Sequence, residues 1–379
     1  MRKPFASLQD LVREHQSASR FFTDRSATAA PSRLEKMTGF GDNPGGLDMF
    51  AHLPGGLARG AALVVVLHGC KQDSRGYDRG TGWSELAERE GFAVLAPEQR
   101  GQNNPGRCFN WFEAGHTTRG QGEVESIAQM VRHLLAHHGL DPKRVFVTGL
   151  SAGGAMANAM LATYPELFSG GGIVAGLPHG AARDLPEAFS AMQGGRDLSP
   201  RRWGDLVRAA SPHRGPWPTV SVWHGGADTT VSPANGSALV AQWLDVHGLP
   251  AAAAQAQPDA DAARHRTWRG GDGRIAVESY TLPGMGHGTP IGPDVAEAAR
   301  RGGTAAPFIL DAGIFSTWHM AARWGLVDPA RVVEEAAAPA RSHAEARVEE
   351  RVEQREAAWA ELDPAAVINR ALRAAGLVR

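Results

Sequence analysis

The chain has 379 residues, 42% apolar and 21% charged, enough to bury the core of one large α/β domain with extensions or of two smaller domains. Thirty-nine basic against 40 acidic residues leave a formal charge of −1, which gives no electrostatic reason to expect nucleic acid or an anionic membrane as partner. No stretch approaches the roughly 20 apolar residues that span a bilayer, and Met1-Arg2-Lys3 is followed by no apolar run; the expectation is a soluble chain, cytoplasmic or read without its leader.

Residues 1–36 read as a polar amphipathic helix, with Leu8, Leu11 and Val12 on one face, and a Ser/Ala/Pro linker. Residues 37–327 then carry short extended runs in a regular rhythm. The run 61–67 is almost continuously aliphatic, the pattern of a strand covered on both faces. Further strands are expected at 92–96, 144–148, 172–175, 219–223 and 275–280. Helical periodicity falls between them at 83–90, 123–137, 155–164 and 234–247. Alternating strands and helices indicate an α/β fold, a mostly parallel central sheet with helices on both faces. From about Asp328 the composition shifts to Ala, Glu and Arg, and 328–379 reads as a charged helical tail with a solvated face. Its last stretch carries Val367, Ile368, Leu372 and Leu377, which can dock on the body or pair the chain as a homodimer.

Cys70 and Cys108 are the two cysteines, too far apart for metal-ligand spacing. They are two free thiols or one disulfide, and a chain without a leader favours the thiols.

The chemistry centres on Gly149-Leu150-Ser151-Ala152-Gly153. A serine hydroxyl is a weak nucleophile that needs a base, a group to orient the base, and donors for the oxyanion. Gly-x-Ser-x-Gly between a strand and a helix puts the hydroxyl on a sharp turn, and small residues let strand and helix approach. The context fits, because strand 144–148 precedes the motif and a helix opens after it. The base should be a His on a loop after the last strand. His287, in Pro283-Gly284-Met285-Gly286-His287-Gly288, fits best. His319 lies in a helical apolar run and reads as a buried structural histidine, and His224 directly precedes the better acid candidate. That acid is Asp228, in the loop after strand 219–223. Asp245 is the alternative, but it sits within a helix. The order Ser151, Asp228, His287 matches what this architecture requires. The oxyanion donors should be the N–H groups of Ala152 and of Cys70, the latter in the turn His68-Gly69-Cys70-Lys71-Gln72. His68 reads as structural, fixing that turn. No metal or organic cofactor is needed for this chemistry.

Taken together, these segments resemble the esterase family of polyhydroxybutyrate (PHB) depolymerases, which also contains feruloyl and acetylxylan esterases. The matching pieces are Leu67 to Gln72, Cys108-Phe109-Asn110-Trp111-Phe112, Gly149 to Met156, Trp223 to Val231, Pro283 to Gly288 and Pro307 to Ile314. The resemblance covers residues 40 to 327. It implies an α/β-hydrolase fold, carboxylic-ester hydrolysis and the serine, histidine and aspartate roles argued above. It also implies that Cys108 is the disulfide partner of Cys70, reversing the preference for thiols, with a compartment outside the cell. Substrate contacts are implied for Trp111, Asn110 and Leu150, although Trp111 reads equally as a core aromatic. No linker or polymer-binding module is visible, which favours soluble or oligomeric esters over crystalline polymer. The rival readings are a feruloyl or acetylxylan esterase, a peptidase on the same scaffold, and a catalytically silent binding protein.

Overall fold

The computed structural model of the chain describes residues 32–256, 263–293 and 301–327. The expected N-terminal helix and the charged tail, with its docking face for a second subunit, lie outside the described residues.

Strand β3 (Leu63–Leu67) is buried at all five positions, as a continuous aliphatic run demands when both faces are covered. It pairs in parallel with β4 (Ala93–Glu98) on one side and β5 (Val145–Leu150) on the other. The parallel sheet continues from β5 through β6 (Gly170–Val174), β7 (Thr219–Gly225) and β10 (Ile275–Leu282). These are the six predicted strands, each within two residues of its expected ends. Antiparallel strands extend both edges. β1 (Glu35–Met37) and β2 (Asp48–His52) add beside β4, while β9 (Arg264–Arg269) and β8 (Gln255–Ala256) add beside β10. The resulting ten-stranded order is β1-β2-β4-β3-β5-β6-β7-β10-β9-β8. A separate parallel pair joins β11 (Thr289–Ile291) to β12 (Ile309–Asp311).

The described helices of eight or more residues are α1 (Ser74–Thr81), α2 (Trp83–Glu90), α3 (Gly122–His138), α4 (Ala152–Thr163), α5 (Leu185–Met192), α6 (Pro200–Ala209), α7 (Pro233–His247) and α8 (Ser316–Arg323). Every residue of α4 is buried, which explains its run of Gly, Ala and Met without a polar face. Its one amide, Asn158, accepts from Trp243 Nε1 at 2.8 Å and donates to Gln242 Oε1 at 3.0 Å, so α4 is tied to α7 through polar groups inside the core.

The chain leaves β3 for β4 on one side and later returns to β5 on the other. That reversal opens a crevice at the carboxyl ends of β3 and β5, where open α/β sheets bind ligands. Register sets the pieces side by side. Leu67 lies opposite Gly149, so the His68–Cys70 turn emerges next to Ser151 and Ala152.

Candidate active site

Ser151 takes φ 57° and ψ −116° between β5 and α4. A non-glycine residue there carries strain of about 1–3 kcal/mol, tolerated only where surroundings over-determine it. Here Ser151 N–H donates to Val174 O at 2.9 Å and Ser151 O accepts from Ala155 N–H at 2.8 Å. The flanking glycines are needed for space. A Cβ on Gly153 would lie 2.3 Å from Leu67 O, and one on Gly149 would lie 2.5 Å from the Gly153 carbonyl. Strain is concentrated around this site. Of the six described non-glycine residues with positive φ, Lys71 and Arg107 flank the cysteines, and Ser151 and Ala175 end adjacent strands. Phe308 packs edge-on against His287 with ring centroids 6.0 Å apart. Asn43 is the exception.

The structure brings Asp228 and His287 together. His287 Nδ1 lies 2.7 Å from Asp228 Oδ2, and the Asp228 side chain is fully buried. The other carboxylate oxygen accepts from Thr230 and Val231 N–H groups, each at 2.9 Å. Burial opposes ionisation of Asp228, but the bonds from His287 and the Val231 N–H prevail and hold it below the usual carboxylate range. The acid and histidine loops are also joined by backbone, with Gly226 N–H donating to Leu282 O (2.8 Å) and Ala227 N–H to Met285 O (3.0 Å). Gly225 permits this approach, since a Cβ there would lie 2.4 Å from the carbonyl oxygens of Met285 and Gly286.

The alternative residues lie elsewhere or are committed. Asp245 on α7 pairs with Arg208 at 2.6 Å. His224 donates from Nε2 to Val231 O at 2.9 Å. His319 is half-buried on α8 rather than fully buried, with ring centroids of Trp223 and Tyr280 both 5.9 Å away. His68 is fully buried. Its Nδ1 donates to Gly69 O at 2.8 Å and its Nε2 accepts from Gln99 N–H at 3.1 Å, so both ring nitrogens are used in holding the turn. Burial pushes its pKa down to about 4.

A disulfide joins Cys70 and Cys108, 38 residues apart in sequence. In the Cys70 turn, Gly69 N–H is taken by Gln72 Oε1 at 2.8 Å and Lys71 N–H by Gly106 O at 2.7 Å. Among the described residues nothing accepts from Cys70 N–H. Ala152 N–H is one of the amides that the first turn of α4 leaves without an intrahelical partner. Two amides are thus available beside Ser151.

The expected substrate contacts fare differently. Asn110 is buried and its side chain is spent, donating to Glu123 Oε1 at 2.8 Å and accepting from Asn104 Nδ2 at 2.8 Å. Leu150 is buried as the last residue of β5, under Gly69. Both are thus engaged inside the protein. Trp111 is half-buried, packs against the core, and lines a cleft of about 290 Å³ with Thr117, Thr118, His179 and Arg183. A larger cleft of about 450 Å³ lies along the histidine loop, lined by Leu282, Met285, Ile309 and Leu310.

Sequence reasoning missed Glu123 and Gln99. Glu123 opens α3, where an acidic first-turn residue is ordinary, so nothing marked it as buried. It is fully buried, and burial pushes its pKa up to about 7 against hydrogen bonds from Asn110 and Gln99.

Residues 48–266 match the family model described as Esterase PHB depolymerase. The chain belongs to this esterase family. Poly(3-hydroxyalkanoate) depolymerase C of Paucimonas lemoignei is 43% identical over 299 residues, 78% of this chain and 70% of that protein. Acetylxylan esterase A of Aspergillus oryzae is 33% identical over 289 residues, 73% of this chain and 91% of that protein. Among solved structures, the acetyl xylan esterase from Aspergillus awamori superposes with a TM-score of 0.62 at 30% identity, covering 67% of this chain and 93% of the other. The fold is that of the α/β-hydrolases, and the chain is a carboxylic-ester hydrolase of the PHB depolymerase and acetylxylan esterase type.

Proposed function

We propose that the chain hydrolyses short-chain hydroxyalkanoate esters by two-step acyl transfer, with Ser151 as nucleophile, His287 as base and Asp228 as the group that orients the base. The observation that carries this reading is the 2.7 Å bond from His287 Nδ1 to a buried Asp228 carboxylate. It fixes the tautomer that leaves Nε2 free to take a proton, and it stabilises the imidazolium once the proton arrives. His287 removes the Ser151 proton as the oxygen attacks the ester carbonyl. The Cys70 and Ala152 N–H groups receive the developing oxyanion, and His287 protonates the departing alcohol. Water then repeats the cycle and releases the acid. One such donor is worth about 3–4 kcal/mol in the transition state.

The higher identity to the hydroxyalkanoate depolymerase, 43% against 33% for the A. oryzae acetylxylan esterase, supports the acyl class. A panel of 3-hydroxybutyrate oligomers, acetylated xylan and methyl ferulate tests it. Hydroxybutyrate oligomers should give the highest kcat/KM, and faster turnover of either cell-wall ester would overturn the substrate assignment.

A further inference from the structure

Glu123 has no part in the mechanism above, yet its carboxylate is fully buried at the start of α3. Four groups face it. Oε1 accepts from Gln99 Nε2 at 2.6 Å and from Asn110 Nδ2 at 2.8 Å, Oε2 accepts from Asn110 N–H at 2.8 Å, and His116 Nδ1 lies 3.4 Å from Oε1. Burying a carboxylate against amide donors is costly, so such a group marks a candidate functional element.

Gln99 leads from this carboxylate to the Cys70 turn by two routes. Its side-chain Nε2 also donates to Cys108 O at 3.1 Å, and Cys108 is covalently joined to Cys70. Its backbone N–H donates to His68 Nε2 at 3.1 Å, and His68 Nδ1 donates to Gly69 O at 2.8 Å. One route therefore ends on the carbonyl of the peptide that carries Cys70 N–H, and the other on the Cys70 side chain. Asn110 adds a third tie, because its Oδ1 accepts from Asn104 Nδ2 while Asn104 Oδ1 accepts from Gly106 N–H. Gly106 O in turn receives Lys71 N–H.

We infer that Glu123 is a positioning residue for the oxyanion donor: its carboxylate orients Gln99 and Asn110, which through His68, Cys108 and Asn104 hold the Gly69–Lys71 backbone where Cys70 N–H meets the transition state. A glutamine at 123 would turn an amide NH₂ toward at least one of three donors, breaking the hub while keeping its volume. The inference rests on the mechanism proposed above.

The test uses the full chain with p-nitrophenyl butyrate and a trifluoromethyl ketone, which binds serine hydrolases as an oxyanionic hemiketal. Glu123→Gln should lower kcat about ten- to a hundredfold with KM within about threefold, since a displaced donor acts on the transition state alone. Affinity for the ketone should fall by the same factor. Gln99→Met leaves Glu123 its two Asn110 bonds and should reproduce much of the loss, keeping the test open if Glu123→Gln does not fold. Combining the two should add little, because both cut one chain of contacts. Glu125→Gln, on the same helix but bonded to Tyr164 and Arg132, should keep wild-type kcat. Folded Glu123→Gln or Gln99→Met enzyme with unchanged kcat and ketone affinity would overturn the inference, as would strictly additive effects. Failure of a fluorophosphonate to label wild-type Ser151 would instead remove the serine mechanism itself.

Discussion

Asp228 and Glu123 are both buried carboxylates that accept backbone N–H bonds, yet their proton affinities move in opposite directions. Burial raises both. At Asp228 the bond from the His287 imidazole and the loop N–H groups reverse that effect. At Glu123 the bonds come from the amides of Gln99 and Asn110, and burial wins, taking the carboxyl to about 7. Burial alone therefore does not set the charge of a carboxyl; its balance against neighbouring charge and hydrogen-bond donors does. The acid loop holds a buried negative charge against the His287 imidazole, whereas the Glu123 pocket is a hub of hydrogen bonds.

The largest expected effect is on the Asp228 side. Asp228→Asn should lower kcat about ten-thousandfold, since an amide at that position favours the wrong imidazole tautomer. Asp245→Asn should leave kcat unchanged, and the reverse result would mean that the wrong carboxylate has been assigned. On the Glu123 side, reducing the Cys70–Cys108 bond should destabilise the fold by up to about 4 kcal/mol, as the chain-entropy argument gives for a loop of this length. Urea unfolding with and without reductant measures it.

A smaller effect separates the two carboxylates by pH. Asp228 has a folded pKa below its unfolded value, so its contribution is present above about 4 and lost only in stronger acid. Glu123 is raised from 4.5 to about 7, so its contribution is full below 4.5 and disappears as the pH climbs through 7. His68, lowered from 6.5 to about 4, works against Glu123, losing stability as the pH falls through that window. In Glu123→Gln the histidine contribution is no longer offset. The change in unfolding free energy between pH 5 and pH 7 should steepen toward lower stability in acid, by up to about 1.4 kcal/mol per pH unit. Parallel wild-type and variant curves would contradict the assignment of Glu123. Smallest of all, breaking the half-exposed Arg208–Asp245 pair should cost no more than about 1 kcal/mol.

The parallel strands and the four helices between them were legible because their apolar periodicity is strong and uninterrupted. β9 was not, since Arg264-His265-Arg266-Thr267-Trp268-Arg269 carries few apolar residues and no clear alternation. Helices α5 and α6 begin after Asp184 and Ser199, whose side chains cap Glu187 and Arg202 N–H groups, but their apolar faces are short. In the site, Ser151, Asp228 and His287 stood out because each sits in a glycine-bearing loop directly after a strand. The oxyanion turn was legible from its place after the strand at 61–67, and only its tie to Cys108 came through resemblance. Glu123, Gln99 and Asn110 could not be read as a network, because residues up to 24 positions apart meet there and none carries a local motif. Asn110 was accordingly expected to face substrate, and its bond to Glu123 carried no signal in the sequence.

The most direct test of the central claim is covalent. Treating the native enzyme with a fluorophosphonate and mapping the adduct by mass spectrometry should find it on Ser151, with hydrolysis of p-nitrophenyl butyrate lost in proportion to labelling. Ser151→Ala should be folded, unlabelled and inactive. An adduct on another residue, or an active Ser151→Ala enzyme, would contradict the account.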